Sequence, residues 1–70
     1  MKISARNILK GKVTEVRKGG VAAQVQVDIG NGTVITSTIT VDSAERLALA
    51  VGKEVSVIIK ASNVMIATDD

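Results

Sequence analysis

The chain contains no cysteine, no histidine, no proline and no phenylalanine, tyrosine or tryptophan. Without cysteine there are no disulfides, and without cysteine or histidine a zinc-type metal site lacks its usual ligands. Nucleophilic catalysis is left with serine, threonine or lysine beside scattered carboxylates at Glu15, Asp28, Asp42, Glu45 and Glu54, which form no acid–base constellation. Phosphate loops fare no better, since Gly19-Gly20-Val21 lacks the Lys-Ser/Thr ending that a nucleotide-binding loop requires. No enzyme is expected. The missing aromatics also remove the stacking platforms on which single-stranded nucleic acids and sugars lie.

Charge of one sign is scarce too. Nine Lys and Arg stand against seven Asp and Glu, a formal net charge of +2, which is a slight excess and no basic patch for a polyanion. No apolar run approaches the ~20 residues that span a bilayer. Met1-Lys2-Ile3-Ser4 opens without the apolar stretch of a secretory signal. A cytoplasmic protein with neither membrane nor nucleic-acid partner is the expectation.

What is present is aliphatic. Apolar residues make up 46% of the 70, so the core must be built from Val, Ile, Leu, Ala and Met. A chain this short buries only about 60% of its extended surface and forms one small domain, residues 1–70. Small domains are commonly stabilised by disulfides, metals or oligomerisation, and only the last is open here. Self-association is therefore expected from composition alone.

Glycine supplies the punctuation. Gly19-Gly20, Gly30-Asn31-Gly32 and Gly52 divide the chain into short segments. Val21, Ala23, Val25, Val27 and Ile29 alternate with Ala22, Gln24, Gln26 and Asp28, which predicts a strand with one buried face. Val13 and Val16 are wrongly spaced for a flat strand, so a bulge or bend is expected between them. Gly30-Asn31-Gly32 reads as a hairpin loop with positive φ, leading into the β-branched run Thr33 to Ile39. Asp42 to Leu49 is rich in helix formers, with Gly52 beyond the expected end. Val55, Val57 and Ile59 alternate again, and Asn63 to Ala67 suits a last strand. The order predicts an all-β fold: a five-stranded OB-like Greek-key barrel with one short helix between the third and fourth strands.

Three polar interludes carry small donor groups. Ser4-Ala5-Arg6-Asn7 opens the chain, Lys60-Ala61-Ser62-Asn63 nearly closes it, and Thr40-Val41-Asp42-Ser43 stands at the helix entrance. A dehydrated oxyanion favours hydroxyl and amide donors, small neighbours that admit the backbone, and modest positive charge. Each interlude also has an ordinary structural role: Lys60 as a guard on an edge strand, Thr40 and Ser43 as helix caps, Ser4 to Asn7 as a strand lead-in. An OB-fold nucleic-acid or oligosaccharide module and a ligand-free structural or regulatory oligomerisation domain stand as the alternative readings.

Ser-Ala-Arg-Asn at 4 to 7, Lys-Gly at 10 to 11, Ile-Thr-x-x-Ser-Ala at 39 to 44 and Ile-Lys-Ala-Ser-x-Val-Met at 59 to 65 together resemble the molbindin (Mop) family, small molybdate-binding proteins of the TOBE/OB-like type. The similarity runs nearly end to end. It implies that molybdate or tungstate is bound between subunits of a homohexamer arranged as a trimer of dimers, with no cofactor and no free metal cation. It further implies that Ser4, Ala5, Arg6, Lys60, Ala61 and Ser62 come from one chain, with Thr40 and Ser43 from its neighbour. A second oxyanion site near a threefold axis is expected, with Gly20, Val21 and Ala22 as its residues. The role implied is reversible sequestration of the anion for intracellular molybdenum storage and homeostasis.

Overall fold

Alternating apolar residues dominate the chain, and in the computed structural model, which describes Met1 to Asp70, they fold into one antiparallel sheet. Strands β1 (Asn7–Lys18), β2 (Ala22–Gly30), β3 (Thr33–Thr40) and β4 (Glu54–Ile59) lie in the order β3-β2-β1-β4, and helix α1 (Val41–Arg46) follows β3. Positions of one parity face inwards. Val13, Ala23, Val25 and Val27 are buried on that face, and Ala44 of α1 is buried as well.

The break in the β1 alternation is a bulge. Val13 pairs with Val27 but Glu15 pairs with Gln26, so β1 carries one extra residue around Thr14. That residue restores the parity, and Val16, paired with Val25, packs against the core. The β2–β3 loop is as the glycines predict: Asn31 and Gly32 have φ of 55° and 76°, the pair of positive angles that matches strand twist in a two-residue hairpin. The Asp28 carboxylate accepts a 2.7 Å hydrogen bond from the Gly30 amide and steadies the turn.

The helix is shorter than its composition predicts, ending at Arg46 instead of Leu49. The Leu49 amide donates to the Ala44 carbonyl (3.0 Å) and the Ala48 amide to that of Glu45 (2.9 Å), a Schellman closure that turns Leu49 back onto the core. Ala48 occupies the left-handed position with φ of 52°, where glycine is usual, and the Lys53 ammonium donates to the carbonyls of Leu47 and Ala48. Gly52 (φ 93°) serves a separate turn before β4. Burial of Leu49 prevails over helix propensity.

The sheet has four strands, not five, and is open. A 3-10 turn over Ala61–Asn63 follows Lys60, and the expected last strand, Asn63 to Ala67, has no ladder partner within the chain. A strand needs an edge to pair with, and this segment meets none of its own: Val64, Met65 and Ile66 are 44%, 92% and 86% exposed. Between β3 and β4 an apolar groove of about 220 Å³ remains, lined by Val25, Val27, Ile39, Leu49, Val55 and Val57 among others. No helix is long and apolar enough to cross a membrane.

Candidate oxyanion site

The β1–β4 ladder runs from Lys12 opposite Glu54 to Asn7 opposite Ile59. Asn7 and Ile59 form its last rung, so the next residues outwards on the two strands are Arg6 and Lys60. The register therefore brings Ser4, Ala5 and Arg6 to the same corner as Lys60, Ala61 and Ser62, residues more than fifty positions away in sequence. The Asn7 side chain reinforces this corner, its Nδ2 donating to the Ile59 carbonyl at 3.1 Å.

The corner is cationic and unsatisfied. The ion pairs of the chain join Arg17 to Glu15 (3.3 Å) and Lys18 to Glu45 (4.0 Å), so neither Arg6 nor Lys60 has a carboxylate partner. In the 3-10 turn the Asn63 amide donates to the Lys60 carbonyl (2.9 Å) and the Val64 amide to that of Ala61 (3.3 Å). This leaves the Ala61 and Ser62 amides without an acceptor in the turn. Arg6, Lys60, Ala61 and Ser62 are all exposed, and only Ala5 is half-buried. Donors, small residues and two positive charges meet here, but one chain alone does not remove them from water.

Thr40 and Ser43 lie elsewhere. Thr40 pairs with Ala22 on β2, and the adjoining Ala23 pairs with Lys18, the far end of β1 from Asn7. At about 3.3 Å per residue the two groups are on the order of 30 Å apart along the sheet. Thr40 caps α1: its Oγ1 accepts from the Ser43 amide at 3.0 Å and donates to Ser43 Oγ at 2.9 Å. The Ser43 hydroxyl proton is left free to donate outwards.

Gly20 and Val21 line a hollow of about 270 Å³ together with Thr40, Val41 and Asp42. The Val21 carbonyl accepts from the Val41 amide (2.7 Å) and the Ala22 carbonyl from that of Gly19 (2.8 Å), whereas the Gly20 and Val21 amides donate to no backbone acceptor. The Asp42 carboxylate in the same hollow opposes an anion there.

Comparison with known proteins identifies the family. The family model described as the TOBE domain matches residues 3–66. A protein of Haemophilus influenzae named a probable molybdenum-pterin-binding protein is 51% identical over 69 residues, covering 99% of this chain and 100% of that one. Among solved structures, MopII from Clostridium pasteurianum superposes with a TM-score of 0.89 at 46% identity, over 96% of this chain and 100% of that one. A molybdate-binding protein from Sporomusa ovata superposes with a TM-score of 0.91 at 38% identity, over 97% and 100% of the two chains. With a family match over nearly its whole length and relatives of its own size, the chain belongs to the TOBE domain family and, within it, to the Mop proteins.

Proposed function

We propose that this chain binds molybdate or tungstate at a site completed by two copies of itself, sequestering the anion reversibly in the cytoplasm without changing it chemically. The observation that carries this is the split: two cations without carboxylate partners at the Asn7–Ile59 end of the ladder, and a hydroxyl pair at the opposite end of the same sheet. Arg6 and Lys60 supply charge. The Ser4 and Ser62 hydroxyls and the backbone around Ala5 and Ala61 supply directed donors. Thr40 and Ser43 of a second copy close the shell, the Ser43 hydroxyl donating and Thr40 orienting it. The relatives' names, molybdenum-pterin-binding and molybdate-binding, support the class of ligand.

Selection follows from a shell made of donors. Hydrogen phosphate brings a P–OH that finds no acceptor and stays unpaired, at a cost of about 1–3 kcal/mol. Sulfate offers the same acceptors as molybdate but is smaller, so a cage set to the larger anion leaves its hydrogen bonds long.

The second copy also supplies a fifth strand. The groove between β3 and β4 is apolar and open, and Val64, Met65 and Ile66 are apolar and unpaired. Seating one chain's tail in the other's groove closes each barrel and buries the oxyanion corner between the two copies, and three such dimers make the hexamer. A second oxyanion site near a threefold axis, at Gly20, Val21 and Ala22, belongs to the same reading, with the Asp42 carboxylate in that hollow opposing the anion's charge.

Subunit mixing tests the shared site. Lys60→Ala alone and Thr40→Val with Ser43→Ala alone are each expected to lose molybdate binding by calorimetry. Refolded together, they form mixed dimers in which one of the two sites draws every residue from an unaltered segment, so binding returns. A mixture that stays inactive, while unaltered protein carried through the same refolding binds, overturns the shared site.

A further inference from the structure

Along β1 the inward positions Leu9, Gly11 and Val13 are apolar or glycine, and the first residue in this series is Asn7. A half-buried amide at the mouth of an apolar face is out of pattern. Its Nδ2 donates to the carbonyl of Ile59, 52 residues away, at 3.1 Å. That carbonyl belongs to the peptide linking Ile59 to Lys60, the point at which β4 ends and the 3-10 turn begins.

The last rung of a ladder is where strands fray. Beyond Asn7 and Ile59 no further pairing holds the two segments together. The flanking rung is Ile8 opposite Ile58, both outward and partly exposed, with no polar group to add. Among side-chain hydrogen bonds, that of Asn7 alone joins the lead-in carrying Arg6 to the turn carrying Lys60. Fixing the Ile59–Lys60 peptide plane also fixes where the following amides, those of Ala61 and Ser62, begin.

We propose that Asn7 is a positioning residue for oxyanion binding: its side chain locks the Lys60–Ser62 turn to the Ser4–Arg6 segment, so that both stand at the spacing the anion needs before it arrives. Asn7 acts through the Ile59 carbonyl and has no contact with the ligand. This rests on the oxyanion reading of the corner. Preorganised donors bind without first being ordered, and at metal sites removing a residue that orients the ligands commonly costs about ten- to a hundredfold in affinity, the scale adopted for this corner.

The test compares the full-length protein with Asn7→Leu, which keeps the bulk and removes the donor, and Asn7→Gln, which keeps the amide. Molybdate and sulfate affinities are read by calorimetry, stability by urea unfolding without ligand, and exchange of the Ala61 and Ser62 amides by NMR. Asn7→Leu is expected to bind molybdate roughly tenfold or more weakly, to discriminate less against sulfate and to exchange those two amides faster, with its urea midpoint close to the unaltered value. Asn7→Gln is expected to recover part of the affinity. Affinity unchanged in Asn7→Leu, or affinity and stability falling in proportion, overturns the proposal. So does failure of Asn7→Leu and of Asn7→Ser to fold, because a residue that only positions the turn is dispensable for folding. If the unaltered protein binds no molybdate, the oxyanion reading itself has failed; if it binds and Lys60→Ala does not, that reading stands whatever Asn7 does.

Discussion

The α-carbon of Gly11 faces the backbone of β2 so closely that a methyl group built on it would lie 2.5 Å from the Asp28 carbonyl oxygen and 2.7 Å from Val27 Cγ1. Neither neighbour can retreat easily. Asp28 is held by the Lys12 and Val34 pairings, and Val27 is a core residue, 4% exposed. Gly11→Ala is therefore expected to destabilise the protein by about 1–3 kcal/mol, the usual cost of forcing extra volume into a packed position. A fall in the urea midpoint with unchanged slope is the readout, and an unaffected midpoint contradicts the close approach.

Ala48 is the reverse case. Its φ of 52° places a methyl where glycine carries no penalty, and the amide bonds of Ala48 and Leu49 show that the closure is fully formed regardless. An L-residue in this region costs about 1–2 kcal/mol, whereas glycine loses about 0.4–1 kcal/mol more entropy on folding. Ala48→Gly should thus stabilise the protein by roughly half to one kcal/mol. Its thermal midpoint should rise while oxyanion affinity stays the same.

These two positions also show what a sequence can disclose. The period-two run from Val21 to Ile29, the displaced Val16 and the Gly30-Asn31-Gly32 turn are local signals, and each is realised as a strand, a bulge and a positive-φ hairpin. The helix end is not local: Ala-Leu-Ala at 48 to 50 favours more helix, and only the pull of Leu49 into the core stops it at Arg46. The fifth strand escapes for a similar reason, since the apolar run from Val64 to Ala67 states that this segment wants an edge but not whose edge. The candidate corner was legible as motifs, whereas the Asn7 side-chain bond depends on a register that no tetrapeptide encodes. An amide at the head of the series 7, 9, 11, 13 was the available clue.

Thr40 and Ser43 have two roles that substitution can separate. Thr40→Val removes the acceptor that caps α1 and is expected to cost about 1 kcal/mol of stability. Ser43→Ala keeps the amide that donates to Thr40 and loses only the hydroxyl, so stability should change by less than about 0.5 kcal/mol while molybdate affinity falls. Urea unfolding and calorimetry on the two variants separate the outcomes. Equal affinity in Ser43→Ala would confine this pair to capping.

The last prediction concerns the tail. With only Val13, Ala23, Val25, Val27 and Ala44 buried, the isolated chain has little core, while Met65 and Ile66 hold large side chains almost wholly in water. Burying an aliphatic side chain of this size contributes about 1.5–3 kcal/mol, so a chain that seats both in a second copy gains about 3–6 kcal/mol, a large addition to so small a core. A carboxylate at either position cannot enter the apolar groove beside Val25, Val55 and Val57 without a large desolvation cost. Met65→Asp with Ile66→Asp is therefore expected to dissociate the assembly in native mass spectrometry and to abolish molybdate binding, although every residue of the oxyanion corner is unchanged. Binding that survives in a solitary protomer would mean that Arg6 and Lys60 hold the anion without a second copy, and the shared cage would have to be abandoned.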